Sequence, residues 1–183
     1  MAEQRKQTRR IVITAGHSNT DPGAVNGKTT EAAVVTDFRN MVAFYLRREG
    51  VEHVTDGTGA QNLPLAQAIK LIKPGDLAVE FHCNAAASKA AVGAETLSGA
   101  ALKPLGAKLC EAITDVLRTR NRGAKGEAAG QHSRLGFVRA GGLILELFFI
   151  SNDAELAAYQ AKKWLVAKAV AGVLMEHVTQ KEG

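Results

Sequence analysis

The chain has 183 residues, enough for one domain of ordinary size with a substantial core. Hydrophobic residues at 46% and charged residues at 22% exclude an intrinsically disordered chain, and aromatics at 5% leave the core to Ala, Val, Leu and Ile. A formal net charge of +5 suits nucleic acid, an anionic membrane or an anionic wall polymer, and charge alone does not choose among them.

Much of the excess charge sits in Arg5, Lys6, Arg9 and Arg10, so residues 1–9 read as a basic, solvated tail. Residues 10–183 then read as a single domain, with no linker and no second domain. Ile11-Val12-Ile13-Thr14 is a compact β-branched run ending at Ala15-Gly16, which predicts a first buried strand. The segment from Gly16 to Thr30 is a loop rich in Gly, Asn, Asp and Thr, with Asp21-Pro22-Gly23 as a turn.

A helix follows, with Thr29 or Thr30 as its N-cap and Val34, Val35, Phe38, Met41, Val42, Tyr45 and Leu46 on one apolar face. Gly50 stops it, and residues 51–55 form a second candidate strand. Residues 65–72 predict a short helix closed by Lys73-Pro74-Gly75, residues 77–82 a third strand, and 93–97 a weaker fourth. Helical periodicity returns over 102–117, the stretch 119–142 reads as a basic, Gly-rich loop, 143–150 is a strongly apolar strand, and 161–178 is a closing helix. Alternating strands and helices predict a three-layer αβα domain around a largely parallel sheet.

Cys83 and Cys110 form no CxxC pair, so free thiols are expected. The start of the chain lacks a secretory pattern and no apolar run is long enough to span a bilayer. The expectation is a chain made in the cytoplasm without stable membrane insertion. Binding of nucleic acid would need stacking aromatics or a recognition helix, and neither is present in the pattern.

Polar residues of one kind stand at or beyond strand ends, where an α/β sheet places its functional groups. His17 follows the first strand, His82 ends the third, and Glu31 opens the first long helix. Two His and one Glu are a ligand set of catalytic zinc that leaves a fourth position for water. Glu146 lies inside an otherwise apolar strand, where a carboxylate is costly unless it is paired or used, and it suits proton transfer. Other readings stay open for each. Glu31 could simply favour the helix dipole. Glu80 shares a strand face with His82 and rivals Glu31 and Glu146, although its deeper place in the sheet favours supporting duty. Arg122, Lys125, Arg134 and Arg139 could meet carboxylates of a substrate or be solvated surface, and His132 in the same loop reads as solvated. Asn84 and Asn152 could hydrogen-bond ligand loops or cap the next segment.

His17 with Asp21-Pro22-Gly23-Ala24 and Glu31 resembles the opening motif of the N-acetylmuramoyl-L-alanine amidase 3 family. The segment from Asp76 to His82-Cys83-Asn84 is similar to its second zinc motif, Arg122-Gly123-Ala124-Lys125 to its Arg-Gly segment, and the run from Leu143 through Glu146 to Ser151-Asn152 to its final motif. The matches keep the family's order over nearly the whole domain. The resemblance implies an α/β domain with a mostly parallel, about six-stranded sheet. It implies one Zn2+ held by His17, Glu31 and His82, with Glu146 catalytic. It further implies cleavage of the amide between the lactyl group of N-acetylmuramic acid and L-alanine in peptidoglycan. Asn84 and Arg139 are the candidate substrate contacts, and Glu80 is a candidate outer partner of the metal. Phe148 stands where the family usually has Gly, and Glu80 where Ser is typical. A compact, basic domain of this kind looks like a phage endolysin that reaches the periplasm and wall after holin-dependent release. The alternatives are a prophage or bacterial wall-recycling amidase, or a peptidoglycan-binding module that has lost turnover.

Overall fold

The structure is a computed structural model, described here for residues 9–18, 20–129 and 135–179. Of the expected basic tail only Arg9 falls in this range, and His132 and Arg134 lie outside the described residues.

Strand β1 (Ile11–Ala15) is buried along its whole length, as its run of β-branched residues requires of a strand covered on both faces. The loop after it contains a small hairpin, β2 (Val25–Asn26) with β3 (Thr29–Thr30), too short to leave a periodic signal in the sequence. Helix α1 (Glu31–Arg48) starts at Thr30, whose Oγ1 accepts the Ala33 amide at 3.2 Å. Then follow β4 (His53–Thr55), the short α2 (Leu65–Ala68) running into a 3₁₀ turn, β5 (Leu77–Asn84), β6 (Ala94–Leu97) and α3 (Lys103–Leu117).

The stretch 119–142 is not the continuous loop expected. It carries β7 (Asn121–Lys125) and the one-turn helix α4 (Gly136–Arg139). Asn-Arg-Gly-Ala-Lys has no apolar alternation because β7 is an edge strand paired only with β6, with polar side chains turned to a cleft rather than a core. Strand β8 (Leu143–Phe149) and helix α5 (Asp153–Thr179) complete the chain, the helix starting well before the expected residue 161.

The six strands lie in the order β4-β1-β5-β8-β6-β7. The first four run parallel, β6 is antiparallel to β8, and β7 is parallel to β6. The three layers are unequal. Helices α1, α3 and α5 bury Phe38, Val42, Leu109, Ile113, Val170 and Leu174 against Phe81, Leu145 and Leu147 of the sheet. On the opposite face, Val12, Ala78, Leu97 and Ile144 are covered by Phe137 and Val138 of α4 and by Ile69 and Leu71. Long helices seal one face, while short elements cover the other only in part. The polar residues of β5, β6 and β8 emerge on that thinly covered face.

Candidate active site

A cleft of about 520 Å³ opens there, lined by residues that include His17, Glu31, His82, Asn84, Glu95 and Glu146. His17 follows β1 and holds a left-handed backbone, φ 65°, which is strained for a residue with a side chain. Asn62 pins it by donating its amide to the His17 carbonyl at 2.8 Å. Two glycines leave room for the rings. A Cβ on Gly16 would meet the His82 ring at 2.2 Å, and one on Gly23 would meet His17 Cδ2 at 2.6 Å and Glu31 Oε2 at 2.7 Å. No larger residue fits at either position.

Glu31 is the hub. Its Oε1 lies 3.0 Å from His82 Nδ1 and accepts the Cys83 amide at 3.0 Å; its Oε2 lies 3.1 Å from His17 Nε2 and accepts the Ala24 amide at 3.0 Å. One backbone N–H group therefore aims each carboxylate oxygen. Each imidazole is held from behind by another carboxylate: His17 Nδ1 lies 3.0 Å from Asp21 Oδ2, and His82 Nε2 lies 3.1 Å from Glu80 Oε1. Glu80 in turn accepts the Thr14 hydroxyl at 3.2 Å.

Burial alone would raise the Glu31 carboxyl, but hydrogen bonds from His17 and His82 outweigh it and hold the group far below its ordinary range. The hydrogen bond to Glu31 raises His17. Burial works against charge on His82, yet its bonds to Glu31 and Glu80 raise it well above 6.5.

One donor atom from each of His17, Glu31 and His82 lies within 4.8 Å of the others, so these residues fit a metal ion. The two Glu31 oxygens face one imidazole each, Oε2 at 3.1 Å from His17 and Oε1 at 3.0 Å from His82, so either oxygen could serve as the carboxylate donor. Two imidazoles and a carboxylate suit zinc, and carboxylate-backed imidazoles are the usual outer support of such a site.

Glu146 sits beside this cluster, directly opposite His82 in the β5–β8 register and opposite Glu95 in the β8–β6 register. Burial pushes its carboxyl from 4.5 to about 7, with His82 opposing and Glu31 and Glu95 adding to the rise. Among the described residues, its buried Oε2 has no hydrogen-bond partner.

Phe148 does not share this pocket. The register shifts between His82 and Asn84, so Asn84 faces Phe149 instead. Phe149 lines the cleft, while Phe148 is fully buried and stacks on Tyr159 at 4.6 Å between centroids. Cys83 is a free, buried thiol that packs into the opposite core, while its backbone amide donates to Glu31.

Of the candidate substrate contacts, Asn84 lines the cleft and donates its amide to Glu95 at 3.0 Å. Arg139 is exposed at the end of α4, pairs with Glu127 at 3.3 Å, and does not line the cleft. Asn152 caps α5, its Oδ1 accepting the Glu155 amide at 2.9 Å. Sequence reasoning missed Asp21 and Glu95. Asp21 entered only as a turn residue and a member of the opening motif, with no role at the site, although it stands four residues after His17. Glu95 offered the same signal as Glu146, a carboxylate inside a strand, but its short strand lacked the apolar frame that made Glu146 conspicuous.

The model of the family described as N-acetylmuramoyl-L-alanine amidase, Amidase_3, matches residues 11–175. None of the curated proteins compared matches the chain. A solved structure from Neisseria meningitidis, described as a candidate N-acetylmuramoyl-L-alanine amidase, is 47% identical over 92% of this chain and 95% of that one, with a TM-score of 0.86. The catalytic domain of CwlV, an N-acetylmuramoyl-L-alanine amidase from Bacillus (Paenibacillus) polymyxa var. colistinus, is 24% identical over 94% and 99%, with a TM-score of 0.81. The catalytic domain of the CD27L endolysin, which targets Clostridia difficile, is 21% identical over 93% and 96%, with a TM-score of 0.70. The last two likenesses show the fold alone.

Proposed function

The chain belongs to the amidase 3 family of N-acetylmuramoyl-L-alanine amidases, and on that premise we propose that it hydrolyses the lactyl–L-alanine amide of peptidoglycan with one zinc ion held by His17, Glu31 and His82 and with Glu146 moving the protons. The observation that carries this reading is Glu146 itself. It is a carboxyl with one oxygen uncommitted, set in register beside His82 and sharing a cleft with all three candidate ligands.

Zinc at that place would polarise the scissile carbonyl and make a water molecule acidic enough to attack near neutral pH. Glu31 holds its position because backbone amides fix both of its oxygens. Asp21 and Glu80 keep the two rings oriented and their facing nitrogens electron-rich. Glu146, raised to about 7, is populated in both protonation states near neutrality. It can take a proton from the attacking water and return it to the departing amine.

The test is metal analysis of the purified protein together with mass spectrometry of products from isolated sacculi. The expected result is about one zinc per chain, release of stem peptides with a free L-alanine amine, and loss of release in Glu146→Gln with metal retained. Release by Glu146→Gln at the parental rate overturns the mechanism.

The lytic role belongs to the same proposal: action on the wall as a phage-type endolysin after a holin opens the membrane. Its support is the basic charge, suited to an anionic envelope. Expression in a Gram-negative host should lyse cells only when a holin is co-expressed; lysis independent of the holin would overturn that role.

A further inference from the structure

The cleft holds a second charged cluster that amide hydrolysis does not use. Glu95 on β6 is nearly enclosed, with 6% of its side chain exposed, and three side chains donate to it. Asn84 Nδ2 reaches its Oε1 at 3.0 Å, while Arg122 Nε at 2.5 Å and Lys125 Nζ at 2.7 Å both reach its Oε2. Two cations thus share one carboxylate, leaving a net charge of one positive unit. Among the described residues neither cation has a second carboxylate within ion-pair distance. Both stay about a quarter open to solvent, at 28% and 27%, and both line the cleft. The Arg122 guanidinium also lies over the Phe149 ring, 4.9 Å from its centroid.

Long cationic side chains on a surface are mobile, and ordering them on binding costs side-chain entropy. Glu95 and Phe149 remove that freedom in advance. The cluster is therefore preorganised for an anion, and its single surplus charge matches a single carboxylate. Arg122 Nε is committed to Glu95 and Nη1 lies 3.5 Å from the Val92 carbonyl, which leaves Nη2 to donate to a bound carboxylate.

Its position says which carboxylate. His82, Glu146 and Glu95 stand side by side on β5, β8 and β6. With strands ~4.8 Å apart, Glu95 lies about 10 Å from His82, and Arg122 and Lys125 reach back over it from β7. With ~3 Å of that span taken up by the ion pair itself, the remaining ~7 Å at ~3.5 Å per residue places the bound carboxylate about two residues from a scissile amide held beside His82. The glycan side of the substrate offers hydroxyls and acetamides, whereas the peptide side offers carboxylates.

We propose that Arg122 and Lys125, locked onto Glu95, form a carboxylate-binding subsite that selects stem peptides whose second residue keeps a free α-carboxylate over stems in which that group is amidated. The proposal rests on the amidase reading above and adds substrate selection to it. Arg122 and Lys125 touch the substrate, and Glu95 is a positioning residue.

The test uses the zinc-loaded full chain and two muropeptides that differ only in carrying a carboxylate or a carboxamide at the second stem residue. The parental protein should cleave the carboxylate form with at least tenfold higher kcat/KM. Arg122→Gln and Lys125→Met should each bring the two substrates within about twofold of one another, through KM for the carboxylate form, with kcat changed less than about threefold. Arg122→Lys, which keeps the charge but loses the planar fork, should retain part of the preference. Equal turnover of both substrates by the parental protein overturns the subsite while leaving the amidase reading intact. A preference that survives in both folded variants also overturns it. Cleavage of neither substrate by the zinc-loaded parental protein overturns the amidase reading, and the subsite with it. The substrate pair tests the parental protein directly, so the proposal stays falsifiable even where a variant fails to fold.

Discussion

Two buried clusters of charge adjoin the end of β1, and they are built on opposite plans. In the first, Arg39 is fully buried. It donates to Asp56 Oδ1 at 2.7 Å, to Asn40 Oδ1 at 2.9 Å and to the carbonyls of Gln61 at 2.9 Å and Gly59 at 3.3 Å, while Asp56 Oδ2 accepts the Ala15 amide at 3.2 Å. The donors and acceptors of this cluster answer one another. In the second, four carboxylates, Asp21, Glu31, Glu80 and Glu146, crowd two imidazoles, and among the described residues one Glu146 oxygen has no partner. The first network is closed and holds the chain in place. The second is open, with more negative charge than its own residues balance, as a site for a cation must be. Asn62 links them: its side-chain amide reaches the carbonyls of Ala15 at 3.3 Å and His17 at 2.8 Å, so the closed cluster braces the strained ligand of the open one.

Five substitutions would sharpen or break this contrast. The largest effect is expected for Glu31→Gln, which should weaken zinc binding by more than a thousandfold, well beyond the ~10–100-fold that outer partners cost. Calorimetric titration checks it, and affinity within tenfold of the parent would remove Glu31 from the site. Arg39→Met leaves Asp56 buried and unpaired, so it should cost about 3–5 kcal/mol in urea unfolding while the folded fraction still binds zinc with parental stoichiometry. A cost below about 1 kcal/mol would mean that the closed network does not hold the fold.

Asp21→Asn and Glu80→Gln should each weaken zinc binding by ~10–100-fold with little change in thermal stability. Unchanged affinity in both would show that these residues do not support the metal site. The smallest effect concerns pH. Burial first, aided by Glu31 and Glu95, lifts the Glu146 carboxyl from 4.5 to about 7, so the folded chain without metal holds this proton more tightly than the unfolded chain. The stabilisation is complete below pH 4.5 and is lost as pH rises through about 7. Glu146→Gln has no proton to lose. With a chelator present, its stability relative to the parent should therefore increase from pH 5 to pH 8, by ~1–3 kcal/mol. An equal difference in melting temperature at both pH values would show that Glu146 is not held in an environment hostile to its charge.

The sequence by itself determined the apolar strands, the long helices and the residues that could carry chemistry. β1, β5 and β8 were legible because strands buried on both faces demand continuous Val, Ile and Leu. α1 was legible from its periodicity and from Thr30, which caps it as expected. His17, Glu31, His82 and Glu146 stood out as polar groups at strand ends, at a helix start or within an apolar run.

Only the tertiary structure decided what those groups touch. β7 was hidden because an edge strand facing a cleft needs no apolar alternation. The place of Phe148 could not be read from strict alternation, since the register shift beside it turns Phe149 to the cleft. Asp21 and Glu95 gained their meaning from a ring four residues away and from two cations of a neighbouring strand. Hydrophobic patterning acts through local spacing along the chain, whereas a polar site is made by residues far apart in sequence, and only the packed sheet sets their distances.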